Sequence, residues 1–134
     1  MLLRASRWFD RQLLQKLEAL GWPRLSGSQS LVFANLDEDG TPPAELARRL
    51  GMTRQSAGQL IAGLVHLGLI VTVPNPARRG GLLVRLSDEG HAVRRDAGKV
   101  FAGLEARLGA RAETLRAALE QMPDLTAGLP GSLR

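Results

Sequence analysis

Two helical segments hinged at Gly51 and followed at once by a change of hydrophobic period constrain this chain more than any other feature. Thr41-Pro42-Pro43 can open a helix, because proline is tolerated in a first turn, where its missing N–H would have had no partner. Glu45-Leu46-Ala47-Arg48-Arg49-Leu50 continues that helix and Gly51 ends it. After Met52, Thr53 is the next N-cap candidate, and Leu60, Ile61, Leu64, Val65 and Leu67 form a stripe at helical spacing up to Gly68. Two helices joined by a turn of about three residues that contains a glycine make a helix-turn-helix. Beyond Gly68 the residues from Leu69 to Val73 and from Leu82 to Leu86 are β-branched and aliphatic. Pro74-Asn75-Pro76-Ala77-Arg78-Arg79-Gly80-Gly81 lies between them, so this stretch is expected to be a hairpin with a basic tip.

Helices flank this core on both sides. Leu2, Leu3, Trp8, Phe9, Leu13, Leu17 and Leu20 fall near helical spacing before the stop at Gly21-Trp22-Pro23, which predicts a first helix from about Leu3 to Leu20. Ser28 is a candidate cap for a second helix through Leu36, with Leu31, Val32 and Leu36 facing inward and the acidic turn Asp37-Glu38-Asp39-Gly40 beyond. Ser87 is expected to cap a long final helical region in which Val93, Ala97, Val100, Leu104, Leu108, Leu115, Leu119 and Met122 recur, with a loop-like tail after Pro123. The expected architecture is mainly α (α+β), one winged helix-turn-helix domain over residues 1–134. At 134 residues the chain suits one domain with a real core.

Charge is unevenly placed. The net charge is +5, yet basic and acidic residues cancel in residues 1–40 and again in 100–134, so the middle carries the excess. From Leu46 to Ser87 there is no acidic residue, while Arg48, Arg49, Arg54, Arg78, Arg79 and Arg85 lie there. A solvated face usually mixes signs, and a one-signed stretch of this length implies a polyanionic partner.

Cysteine is absent, which excludes disulfides, zinc–thiolate sites and thiol nucleophiles. The apolar runs are shorter than a membrane span, and no apolar core followed by a cleavage site follows Arg4, so a soluble, cytoplasmic protein without membrane association is expected.

A helix-turn-helix leading into a basic hairpin suits double-stranded DNA. The second helix fits the major groove with its N-terminal residues nearest the base edges, and the hairpin reaches the backbone or minor groove. Thr53, Arg54, Gln55, Ser56 and Gln59 begin that helix with short or bidentate side chains. Arginine can donate twice to guanine and glutamine can bridge adenine, whereas Thr53 and Ser56 suit phosphate oxygens. Arg78 and Arg79 occupy a tip that need not bury anything and suit a narrow minor groove. The competing readings are an ordinary solvated helical face and a solubilising loop.

The stretch from Glu45 to Gly90 resembles the core of the MarR family. Glu45-Leu46-Ala47-Arg48-Arg49-Leu50-Gly51-Met52 is similar to the family's first helix-turn-helix segment, and Leu64-Val65-His66-Leu67-Gly68-Leu69-Ile70 to its exit into the wing. Asn75-Pro76-Ala77-Arg78-Arg79 with Val84-Arg85-Leu86-Ser87-Asp88-Glu89-Gly90 is similar to its wing signature. The chain departs from the pattern at Ala77, where the family usually has an aspartate that braces the wing arginine, and at Asn75, where an acid is common. The resemblance implies a homodimer whose N-terminal helix (1–24) and C-terminal helix (91–134) pair across a two-fold axis, leaving residues 25–90 as the DNA-binding core. It further implies a transcriptional repressor on a pseudo-palindromic operator, with a small aromatic or anionic inducer between the dimer helices and the DNA-binding lobe. Trp8, Trp22, Phe33, Phe101 and Arg11 are candidates to line an inducer pocket, although core packing is the more ordinary task for them. The apolar surface of Leu2, Leu3, Trp8, Phe9, Leu13, Leu115, Leu119 and Met122 is more than a small winged domain needs to cover itself, which favours the dimer over helices that pack within one chain.

No catalytic constellation stands beside these features, so no enzyme and no cofactor are expected. His66 and His91 lie on different expected helices, and a metal on them would need Asp88, Glu89 or Asp96 as company. The rival of another class is a winged-helix protein-interaction module without specific DNA binding, since fold alone does not fix function.

Overall fold

The computed structural model of the chain describes residues 2–120. Its elements are α1 (Leu2–Ala19), α2 (Gly27–Asn35), α3 (Pro43–Leu50), α4 (Arg54–His66), β1 (Ile70–Pro74), β2 (Leu82–Leu86), α5 (Asp88–Leu108) and α6 (Ala110–Glu120). This is the mainly α winged helix-turn-helix architecture that the period change at Gly68 implies. Met122 and the tail after Pro123 lie outside the described residues.

The start of α2 differs from expectation. Ser26, not Ser28, caps it: its Oγ accepts from the Gln29 N–H at 3.0 Å, and Gln29 Oε1 accepts from the Ser26 N–H at 2.9 Å. This reciprocal capping box needs a glutamine or glutamate three residues after the cap, and Ser28 is followed at that spacing by Leu31. Leu31 also departs from its expected inward position. The buried stripe of α2 runs through Val32 and closes on Leu36, so Leu31, one residue round the helix, stays 52% exposed. In α4 the buried stripe is Ala57, Ile61 and Leu64, and Val65 is left exposed for the same reason.

Thr41 belongs to the sheet instead of opening α3. Its N–H donates to the Val84 carbonyl at 2.9 Å and its carbonyl accepts from the Val84 N–H at 2.8 Å, adding a rung beside β2. Pro42 then occupies the N-cap of α3 and Pro43 its first turn. Gly51 ends α3 at φ 63°, a left-handed conformation that glycine adopts without a Cβ clash, and the Met52 N–H closes onto Ala47 O at 3.0 Å.

β1 and β2 pair antiparallel from Ile70↔Leu86 to Pro74↔Leu82. Ser87 caps α5 as expected, accepting from the Gly90 N–H at 3.0 Å while its own hydroxyl donates to Gly68 O at 2.6 Å. Gly90 has no space for a side chain, because a Cβ there would lie 2.0 Å from Leu69 O. The expected single final helix breaks at Gly109, whose φ 57° and ψ −137° interrupt the helical path between α5 and α6. The seven-residue step from Leu108 to Leu115 keeps helical spacing and so conceals the break in the sequence.

The core gathers Val32 of α2, Leu46 of α3, Leu64 of α4, Ile70 and Val84 of the sheet and Val93 of α5. Leu13 and Leu17 bring α1 onto it, with α1 packed along α5. Burying a side chain of this size contributes about 1.5–3 kcal/mol, enough to set the helix-turn-helix and the hairpin in one rigid frame.

Candidate nucleic-acid interface

The first turn of α4 is held by two hydroxyls. Thr53 Oγ1 accepts from the Ser56 N–H at 3.1 Å and its hydroxyl donates to Ser56 Oγ at 3.0 Å, which satisfies one of the four N–H groups orphaned at the helix start. Arg54, Gln55 and Gln59 are exposed and make no hydrogen bond or ion pair with another described residue. Their donors remain available to a partner.

The hairpin tip is braced by Asn75. Its side-chain Oδ1 accepts from the Ala77 N–H at 2.9 Å, its N–H donates to Gly81 O at 2.9 Å, and its carbonyl accepts from the Arg78 N–H at 3.2 Å. The side-chain bond from Asn75 to the residue two positions on is an asparagine turn, which orders the tip locally. Arg78 and Arg79 project from this turn as exposed cations.

These parts converge. Arg54 from α4 and Arg78 and Arg79 from the tip line one groove of about 420 Å³, together with Pro42 and Pro43 at the start of α3. Ser56 and Gln59 lie in a second groove, opposite Ser26, Ser28 and Gln29 of the α2 start. Thr53 and Arg54 also border the concave face between α3 and α4, beside Arg48. Gln55 is exposed and lines none of these grooves. Three guanidinium groups beside the N-terminal ends of two helices form a surface that complements anions, since both carry positive potential.

The acid-free stretch is less free than its composition suggests. Arg49 bonds both oxygens of Asp37 and Glu45 Oε1, and Arg48 pairs with Glu45 as well. Acids just outside the stretch fold back onto it. Arg54, Arg78, Arg79 and Arg85 keep their charge uncommitted among the described residues.

Sequence reasoning missed the arginine that joins α5 to this lobe. The Arg94 guanidinium donates to the carbonyls of Phe33 and Leu36, the latter at 3.1 Å, and Trp22 Nε1–H donates to Asp96 Oδ2 at 2.7 Å. The only trace in the sequence is a charged residue beside Val93 and Ala97, on the edge of the inward stripe. A cavity of about 340 Å³ adjoins Arg94 between α1, α2 and α5. Of the five candidate lining residues, Phe33 and Phe101 border it and Trp8, Trp22 and Arg11 do not. Trp8 instead packs edge-on against Phe9.

No group of three His, Asp or Glu side chains among the described residues could hold a metal ion, and no described helix is long and apolar enough to cross a membrane.

Residues 25–79 match the model of the MarR family. That segment, from the loop before α2 through β1 to the hairpin tip, is similar to the MarR family. The likeness extends beyond the matched segment in three dimensions. Apo MarR from Escherichia coli is 23% identical, with a TM-score of 0.70 over 91% of this chain and 94% of that one. YusO from Bacillus subtilis is 20% identical, with a TM-score of 0.67 over 91% of each chain. MepR from Staphylococcus aureus, in a complex with DNA, is 14% identical, with a TM-score of 0.64 over 91% of this chain and 96% of that one. At such identities the likeness establishes the fold, that of MarR-family transcription regulators. No curated protein is similar enough in sequence to match.

Proposed function

We propose that this protein is a cytoplasmic, homodimeric, sequence-specific DNA-binding repressor that responds to a small molecule. The observation that carries the reading is the convergence of Arg54, Arg78 and Arg79 on one groove, uncommitted to any described partner, at the mouth of a helix-turn-helix. An uncompensated cluster of one sign beside helix N-termini suits a polyanion.

In this reading α4 enters the major groove. Arg54, Gln55 and Gln59 read base edges, while Thr53 and Ser56 face phosphate oxygens with the helix N-terminus behind them. Arg78 and Arg79 lie in or beside the minor groove, where negative potential is strongest when the groove is narrow. Residues 25–90 form the DNA-binding core. Residues 1–24 and 91–134 form the dimer helices, supported by the exposure of Trp8, Phe101 and Leu115 on α1, α5 and α6. A two-fold dimer places two recognition helices on a pseudo-palindromic operator, and occupation of a promoter gives repression. The cavity beside Phe33 and Phe101 is the candidate inducer site. None of these steps uses a cofactor or an enzymatic reaction.

Selection of genomic fragments on the purified protein, followed by titration of the recovered duplex at several salt concentrations, tests the reading. An inverted repeat with half-sites about 10 bp apart and a steep salt slope is the expected result. Weak binding without an enriched site overturns it in favour of a protein-interaction module.

A further inference from the structure

Away from the Ser87 cap at the start of α5, the polar link between α5 and α2 is concentrated on one side chain. α1 packs along α5, while α2 packs on α3 and α4. The facing parts of α2 and α5 border the 340 Å³ cavity, with Phe33 on one wall and Ala97 and Phe101 on the other. Apolar walls attract without direction, so they do not by themselves fix the angle between the two helices. Arg94 supplies direction. Its Nη2 donates to the carbonyls of Phe33 and Leu36, in the last turn of α2 and at its C-cap, where carbonyls have no partner inside the helix. A planar guanidinium there satisfies acceptors and complements the negative end of the helix dipole. Its Nη1 also lies 3.7 Å from Glu38 Oε1, a contact weakened by the exposure of Glu38.

We infer that Arg94 is a positioning residue that fixes α5 against the lobe formed by α2, α3 and α4, and thereby sets the spacing of the two recognition helices in the dimer. The spacing half of this inference rests on the proposed dimeric reading of DNA; the positioning half does not. Displacing Arg94 releases the end of α2 from α5, and α3 and α4 move with α2 because they pack on it.

The chain has no cysteine, so two introduced thiols take spin labels without background. Ala62→Cys on α4 and Lys99→Cys on α5 are both exposed positions outside the site. Labelled chains diluted into unlabelled ones report the distance within one chain. A narrow distribution is expected with Arg94 in place, and one broadened or shifted by several ångströms with Arg94→Met. Arg94→Lys, a point charge without the rigid fork, should fall between them. A distribution as narrow in Arg94→Met as in the parent overturns the inference; if Arg94→Met does not fold, an unchanged distribution in Arg94→Lys does so. On operators with one or two base pairs inserted between half-sites, the parent should lose at least about tenfold in affinity and Arg94→Met should lose this discrimination while keeping its base preferences within each half-site. Equal spacing discrimination by both proteins overturns the spacing half. If the parent selects no operator at all, the regulator reading fails, and the distance measurement still decides the role of Arg94.

Discussion

Arg49 grips Asp37 through two parallel hydrogen bonds, Nη1 to Oδ1 at 3.1 Å and Nη2 to Oδ2 at 2.9 Å. The same guanidinium reaches Asn35 O at 2.8 Å and Glu45 Oε1 at 3.1 Å, so α3 is tied to the end of α2 and to the acidic turn that follows it. Thr41 takes part from the other side, its Oγ1 accepting from the Asp37 N–H at 2.9 Å while its backbone pairs with β2. One acidic turn thus connects the helix-turn-helix to the wing.

Stability should therefore depend on acid in a defined direction. Hydrogen bonding to Arg49 holds the Asp37 carboxyl below its usual 3.8, so the folded state favours the carboxylate. Its stabilising contribution is complete above that usual value and is lost as pH falls through the lower folded one. Thermal melts of the parent and Asp37→Asn at low salt should differ at neutral pH and converge in strong acid. Both partners lie at the surface, so added salt should shrink the difference. A gap that stays constant into strong acid would show that the carboxylate charge is not the source.

Glycines in α5 should separate sharply. Gly90→Ala places a methyl carbon 2.0 Å from Leu69 O, a backbone atom, and should destabilise by roughly 1–3 kcal/mol or more as α5 and β1 are pushed apart. Gly103→Ala meets nothing within 4 Å and should stabilise by up to about 1 kcal/mol through helix propensity. Urea titration measures both, and opposite signs are the expected result.

On DNA, the two parts of the interface should fail differently. Arg54→Ala and Gln55→Ala should each cost about 1–3 kcal/mol on the selected operator and relax discrimination at one base pair. Arg79→Ala should weaken binding nearly uniformly across sequences and reduce the salt slope by about one. Unchanged discrimination in both helix variants would remove them from base reading.

Dimerisation should be sensitive to charge on the exposed aromatic face. Trp8 and Phe101 are 39% and 40% exposed in the single chain. Phe101→Glu should raise the dimer dissociation constant at least about thirtyfold, corresponding to an anchor of about 2 kcal/mol, with helicity retained. Sedimentation that finds the same assembly in both proteins would place the interface elsewhere.

Much of the fold was legible because its signals are local. Gly51, Thr53, Ser87 and the Asn75–Gly81 turn act through bonds spanning two to six residues, and such bonds depend on residue type and spacing alone. The exposed candidates Arg54, Gln55, Gln59, Arg78 and Arg79 were legible for a related reason: nothing nearby in the chain can neutralise them. Arg48 and Arg49 belong to the acid-free stretch by composition, yet Glu45 and Asp37 from outside it pair with them. The exposure of Leu31 escapes the sequence because a nine-residue helix leaves its inward face undetermined to within one residue.

The sequence by itself determined the order of elements as far as the start of α5, the helix-turn-helix, the basic wing and the resemblance to the MarR family, all of which follow from period, caps and turn chemistry. Only the tertiary structure decided that Arg54 shares a groove with Arg78 and Arg79, that Arg94 caps the end of α2 and that Trp22 meets Asp96. These contacts join residues 24 to 74 positions apart. Their formation depends on how packed helices cross in space, which chain-local preferences do not encode.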